Sequence, residues 1–268
     1  MQIFAHRGLL TEYPENSFPA LTKSFERSHG VETDLRLTKD NDFIIIHDDT
    51  FERLAGVVAK VSDLTRAEAE KIAYLLDVPL RATDTLHYDK TVENIISLRR
   101  FLEWTRAHSS PAQSAIQLKT DSQTENGLQL VARYWPEFDL YGKAFVFDLT
   151  KEAATRLKEI DPRIRIALVV SEFKFESTIH LWDEVKDFKP MDIVWAAEYR
   201  TLYNSDFIRD VKATGRICYT MSPDVHVSLG HPLAFSGYED TWDNLLAWGS
   251  DGICTDFPAK LAERLARG

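Results

Sequence analysis

The chain has 268 residues, of which 44% are hydrophobic and 11% aromatic; that is enough for a large core and excludes global disorder. Lys and Arg number 32 against 42 Asp and Glu, a formal net charge of −10. This balance argues against general binding to nucleic acid or anionic membranes, so an anionic ligand would need a local cluster of cations or a metal.

The first strand is expected at residues 2–5. A helix follows at 17–28, with Ser17 as its N-cap and Gly30 as its stop. Residues 31–35 form a second strand. The turn "KDND" at 39–42 is tight enough to pair that strand with "FIIIH" at 43–47 as an antiparallel hairpin. From about 48 to 92 the pattern is irregular and reads as a small insertion, with a short helix in "LTRAEAEKIAYLL". After it, apolar runs such as "SAIQLKT", "KAFVFDL", "IRIALVV", "MDIVWAA", "RICYTM" and "GICTD" alternate with amphipathic ones, and "PAKLAERLARG" closes the chain. About eight strand-and-helix units predict an α/β protein, a single (β/α)8 TIM barrel spanning 1–268 with that insertion after the hairpin. The loop "AHRGLLTEYPENS" lacks the glycine pattern of a nucleotide-binding open sheet. Cys218 and Cys254 fit neither a zinc spacing nor a disulfide framework. No leader pattern opens the chain, and no run reaches the roughly 18 apolar residues of a membrane span. The expectation is a cytoplasmic protein without a stable membrane anchor; the composition leaves a homo-oligomer open.

In a β/α barrel the site lies at the C-terminal ends of the strands. His6 and Arg7 end the first strand. Glu32 and Asp34 share one side of the second, His47 and Asp48 end the hairpin arm, and Gln117 and Lys119 share one side of the next strand. Thr255 and Asp256 end the last strand. A lone histidine at a strand end is more often structural, and Glu-x-Asp on a strand is more often a solvated pair. Their convergence gives the chemical reading its weight. Paired carboxylates suit a hard cation such as Mg²⁺ or Ca²⁺. Arg7 and Lys119 suit a phosphate, and two histidines can move protons near neutral pH. These are the parts of phosphodiester cleavage.

The segments "FAHRG", "PENS", "VETDLRLTKDNDFIIIHDDTFERLAG", "VSDLTRAEAEKI", "ISLRRFLEW", "IQLK" and "WGSDGICTDFP" resemble the glycerophosphodiester phosphodiesterase family over nearly the whole chain. The resemblance implies metal-dependent cleavage of a small-molecule glycerophosphodiester to glycerol 3-phosphate and an alcohol. It makes His6 and His47 the catalytic pair, with His6 taken as base and His47 as acid. Arg7 and Lys119 become phosphate ligands, and Glu32 and Asp34 metal ligands. Asn16 falls at a substrate-site position that organises the first loop. Gln117 stands where the family pattern has Glu, the third metal carboxylate. An amide oxygen can still ligate Mg²⁺ or Ca²⁺ but removes a charge, so weaker metal binding is expected, and Asp121 would substitute only if the strand end bends. Tyr219 stands where the family often has Trp, as an aromatic wall on the alcohol side.

Trp195 is a further candidate for stacking on substrate, with filling of the barrel as its bland alternative. His87 and Asp84 in the insertion, and His226 and His231 after the seventh strand, read as solvated loop residues. Trp104, Trp135 and Trp182 read as packing on the barrel exterior. Two other functions stay open. One is a related branch acting on a sugar-phosphate diester or a lysophospholipid. The other is a catalytically silent phosphodiester-binding barrel, for which Gln117 is the one supporting residue.

Overall fold

Fourteen strands appear in the computed structural model, which describes every residue except 28, 80–84, 88–92, 109, 111 and 268. They are β1 (Gln2–Ala5), β2 (Gly30–Leu37), β3 (Phe43–Ile45), β4 (Thr50–Phe51), β5 (Val57–Lys60), β6 (Asp77–Pro79) and β7 (Thr85–His87). Then come β8 (Ser114–Leu118), β9 (Ala144–Phe147), β10 (Ala167–Val170), β11 (Ile179–His180), β12 (Ile193–Ala197), β13 (Ile217–Met221) and β14 (Gly252–Thr255).

The main sheet runs β11-β10-β12-β13-β14-β1-β2-β8-β9. Each pair along this path is parallel, as alternation with helices requires. β3 returns antiparallel on β2, with Leu35 opposite Ile45, which is the expected hairpin. The sheet curls until Val146 of β9 makes an isolated parallel bridge to Ile166, just before β10. Beyond that bridge β11 pairs with β10 alone, and His180 Nε2 hydrogen-bonds the Leu149 carbonyl at 3.0 Å. No strand was expected at β11: two residues carry no readable period.

The helices begin where side-chain oxygens can satisfy a free backbone N–H. Ser17, Ser97, Thr124, Thr150 and Asn204 each accept from the amide three residues on. The first helix is Phe18–Glu26. Gly30 is not its stop but the first residue of β2, where a Cβ would come within 2.7 Å of the Gln113 carbonyl oxygen. Between 48 and 92 the described residues form the pairs β4–β5 and β6–β7. The helix expected there is only Arg66–Ala69, started by a Thr65–Glu68 capping box. It stops early because the chain is drawn out to bridge Ala73 to Asn94. Phe51, Leu54, Val61, Ala69 and Tyr74 pack with Ile44, Ile46 and Ile95 as a separate small core.

Two larger cores lie on either side of the sheet. The outer one joins sheet to helices and buries Trp135, with Trp104 and Trp182 packed against it, as expected. The inner one is aromatic: Phe4 touches Phe145, Trp195 and Tyr219 with ring centroids 4.9–5.8 Å apart. No helix of the described residues is long and apolar enough to cross a membrane.

Candidate active site

A cavity of about 610 Å³ opens at the C-terminal ends of the strands. One wall carries His6, Arg7, Glu32, His47, Gln117 and Lys119, with Arg36, Asp49, Asp121 and Asp148 beside them. The rest of the lining is mostly apolar and includes Phe147, Val169, Ile179, Tyr199, Met221 and Leu229, with Glu176 among them.

The loop after β1 sets the first wall. Arg7 and Asn16 have positive φ, 53° and 58°, conformations that L-residues adopt at a cost. The Asn16 amide N–H donates to the Arg7 carbonyl at 2.9 Å, closing the loop. Gly8 (φ 81°) lies against the next helix, where a Cβ would meet the Ala20 carbonyl at 2.6 Å, so only glycine fits. The Asn16 side chain is fully buried. Its Nδ2 donates to Asp34 Oδ2 at 2.8 Å, and its Oδ1 accepts from Thr33 Oγ1 at 2.9 Å. Asn16 therefore does not face the cavity as a substrate contact; it fixes the orientation of Asp34.

Glu32 and Asp34 project to one side of β2, both nearly fully buried. The Arg7 backbone N–H donates to Glu32 Oε2 at 3.1 Å. Lys119 Nζ lies 2.7 Å from Asp34 Oδ1 and 2.5 Å from Gln117 Oε1. Gln117 Nε2 in turn donates to Asp148 Oδ2 at 2.8 Å. Burial, with the neighbouring Asp34 charge, pushes the Glu32 carboxyl up. Asp34 is also buried, but the Lys119, His47 and Arg7 charges hold it well below its ordinary range.

The two histidines have unlike surroundings. His6 is buried, with Nδ1 2.7 Å from Asp256 Oδ1 and Nε2 3.9 Å from Glu32 Oε2. Burial and Arg7 press its pKa down, but the bond and charge of Asp256 and the charge of Glu32 outweigh them and leave it raised. His47 Nδ1 lies 2.9 Å from Asp48 Oδ1, yet Asp48 also binds Arg53 at 2.6 Å and 3.1 Å. Burial and the charges of Arg7 and Lys119 lower His47 to about 4, although 37% of its side chain stays exposed.

The structure thus brings His6, Arg7, Glu32, Asp34, His47, Gln117 and Lys119 together. Asp121 does not take the place left by Gln117; it turns away to Arg36 at 2.5 Å. The nearby carboxylate is Asp148, at the end of β9, buried and raised to about 6 by that burial. Trp195 and Tyr219 are not at the cavity. Trp195 is fully buried and stacked on Phe147 at 4.6 Å, and Phe147, itself only 2% exposed, takes the place in the cavity lining. The Tyr219 hydroxyl donates to Gln113 Oε1 at 3.2 Å, at the other end of the sheet, and its ring fills the interior beside Gly252. His87 is exposed and pairs with Asp77 at 2.5 Å, away from the cavity lining; Asp84 lies outside the described residues. His226 and His231 are not solvated but buried, each about 5% exposed.

Several partners were not singled out from sequence. Glu15 of "PENS" is buried and accepts from Arg7 at 2.9 Å and from Arg53 at 2.8 and 2.9 Å; its motif was visible but its pairing was not. Asp256 and Asp48 were visible as strand-end acids. Asp148 and Tyr199 carried no local signal, and His226 was read only as a solvated loop residue.

The oxygens of Glu32, Asp34 and Gln117 have the chemistry of a hard-cation site. Burial first and the Asp34 charge second push Glu32 up, and a bound cation would offset both. Among the described residues no group of three or more His, Cys, Asp or Glu forms a ready metal cluster, because the third ligand is an amide and Lys119 binds two of the three groups.

A parallel α/β sheet that turns two imidazoles, paired carboxylates and two cations toward one cavity defines a phosphoric diester hydrolase. The chain belongs to the glycerophosphoryl diester phosphodiesterase family, whose profile matches residues 6–260. A glycerophosphodiester phosphodiesterase of Bacillus altitudinis is 24% identical over 265 residues, 96% of this chain and 95% of that protein. A crystal structure described as a putative glycerophosphoryl diester phosphodiesterase of Silicibacter pomeroyi shares the fold with a TM-score of 0.77 at 13% identity, covering 100% of this chain and 93% of that one. An Oleispira antarctica phosphodiesterase, solved with the product sn-glycerol-3-phosphate, has a TM-score of 0.72 at 18% identity, covering 99% and 97%.

Proposed function

We propose that this chain cleaves small glycerophosphodiesters to glycerol 3-phosphate and an alcohol, with His6 and His47 as its proton-transfer pair. The observation that carries this reading is the convergence of His6, Arg7, Glu32, Asp34, His47 and Lys119 on one cavity wall. The scaffold is a single (β/α)8 barrel whose last seam is the Val146–Ile166 bridge, with residues 48–92 as an insertion at its mouth.

Arg7 and Lys119 hold the phosphate, the first as a fork and the second as a point charge. Glu32, Asp34 and Gln117 would hold a divalent metal, Mg²⁺ or Ca²⁺, which when bound offsets charge on the phosphoryl oxygens. Asn16 and Glu15 act behind these residues, fixing Asp34 and Arg7. The surroundings of the histidines favour the reverse of the order expected from sequence. His6, paired to Asp256, is the better store of a proton and acts as the acid at the leaving oxygen. His47, whose Asp48 is shared with Arg53, stays neutral and takes the proton of the nucleophile. The nucleophile is water or a neighbouring substrate hydroxyl that forms a cyclic phosphate first.

The test is release of glycerol 3-phosphate from a panel of glycerophosphodiesters with Mg²⁺, Ca²⁺ or Mn²⁺. Metal-dependent release is expected. No turnover on the whole panel would overturn the proposal in favour of a silent phosphodiester-binding barrel.

A further inference from the structure

The loop after β13 carries a buried imidazole that the chemistry above does not use. Residues Pro223–Leu229 form a 3-10 stretch that breaks at His226, whose φ of −98° and ψ of 32° are non-helical. The residue is 5% exposed, yet it lines the cavity. Its ring lies 4.7 Å from that of Tyr199, tilted by 54°. Its Nε2 is buried without a hydrogen-bond partner among the described residues. Such an atom costs stability that an apolar side chain of the same size would not.

The loop is held too firmly for this to be slack. Asp224, fully buried, accepts from Thr255 Oγ1 at 2.9 Å and from the Asp256 backbone N–H at 2.7 Å. Trp242 Nε1 donates to Ser222 Oγ at 2.7 Å. The His231 backbone N–H donates to the His226 carbonyl at 3.2 Å, and Arg200 donates to the Gly230 carbonyl at 3.0 Å. The imidazole is therefore presented in a fixed place on the wall made by Tyr199, Met221, Val225 and Leu229. These apolar residues line the same cavity as Arg7 and Lys119, and the organic half of a diester would lie along them.

We propose that His226 is a specificity-determining residue that hydrogen-bonds a hydroxyl on the organic half of the diester, selecting a polyol or sugar alcohol over a quaternary-ammonium one. The inference rests on the phosphodiesterase reading of the same site. Burial, with His6 and His231 nearby, keeps the imidazole neutral, lowering it to about 3. A neutral imidazole can donate to or accept from an uncharged hydroxyl. A trimethylammonium group offers it no hydrogen bond at all.

The experiment is calorimetric binding of glycerophosphoglycerol and glycerophosphocholine, with Ca²⁺ present, to the wild type, His226→Phe and His226→Gln. The phenylalanine variant should lose about three- to tenfold in affinity for glycerophosphoglycerol alone, the worth of one neutral hydrogen bond. The glutamine variant, which keeps a polar group near Nε2, should recover most of it. Equal losses on both diesters would show a merely structural role. No loss on either would show that water satisfies the nitrogen. Both results overturn the proposal, as does a wild type that binds neither diester. If the phenylalanine variant does not fold, His226→Met, flexible enough for an irregular space, replaces it under the same criteria. Turnover measured alongside separates the two readings: selective binding without cleavage refutes the hydrolase and leaves His226 as the selector.

Discussion

Asp256 and Asp48 each touch one imidazole, and Asp48 is shared with Arg53. In the proposed mechanism that difference gives the two histidines different duties. His6→Ala or His47→Ala should lower turnover about 10²–10⁴-fold with the fold retained, as steady-state kinetics and circular dichroism would show. Asp256→Asn should lower it on the order of 10²-fold, because the amide neither orients Nδ1–H as a carboxylate does nor stabilises the imidazolium. A variant with wild-type turnover would remove Asp256 from the mechanism. Gln117→Glu restores a carboxylate beside Lys119, and calorimetric titration with Ca²⁺ should show tighter binding than in the wild type. His6, Arg7, Glu32, Asp34, His47 and Lys119 were legible because each sits in a short motif at a strand end. Their partners were not: Asp256 lies 250 positions from His6, and Asp148 lies 31 from Gln117. Nothing local in the chain records which acid will meet which base. Trp195 and Tyr219 were misplaced for a related reason. Side chains alternate along a strand, and sequence does not say how deep a given layer sits.

At the scale of elements, the strand positions and the hairpin were legible from apolar periods and turn residues, and the start of the first helix from its cap, Ser17. Lengths were less so, since tertiary pairing stretched the chain after Ala69 and created β11. The loop joining β1 to the first helix is where element and site meet. Its two non-glycine left-handed residues, Arg7 and Asn16, are held by the groups they position. Asn16→Ala removes the bond to Asp34 and a residue type that tolerates this backbone, so a destabilisation of about 2 kcal/mol is expected in urea unfolding. Gly8→Ala places a Cβ 2.6 Å from backbone atoms of Ala20. It should destabilise by more than about 1 kcal/mol, because backbone on the helix must move.

For the whole molecule, the buried ionisable groups set the response to acid. Glu15 is buried, but Arg7 and Arg53 lower it to about 2. A depressed carboxyl stabilises the fold above its unfolded pKa, and that contribution disappears as pH falls through about 2. His226, lowered to about 3, acts in the same direction: below about 6.5 the unfolded chain takes a proton that the fold refuses. His6 is raised, and its contribution is instead lost as pH rises through its folded value. Asp148, raised to about 6, and Glu32, also raised, act oppositely until pH falls below the ordinary carboxyl range. Denaturant unfolding should therefore show stability declining chiefly between about pH 4 and 2, with His226→Gln removing a contribution that is lost from about 6 downward. An unchanged slope in that variant would show that His226 is not held neutral.

The two kinds of cavity lining come from separate stretches of the chain. The charged groups of the proposed chemistry lie in the first 148 residues, with Asp256 returning from the end, while residues 169–229 supply a mostly apolar lining in which Glu176 is the charged member. Reaction and selectivity can therefore diverge independently. Grafting the segments after β10 and β13 from a relative, with Asp224 kept to hold Asp256, should exchange one alcohol preference for another while leaving the bond-breaking apparatus intact, which makes this scaffold a natural starting point for retargeting.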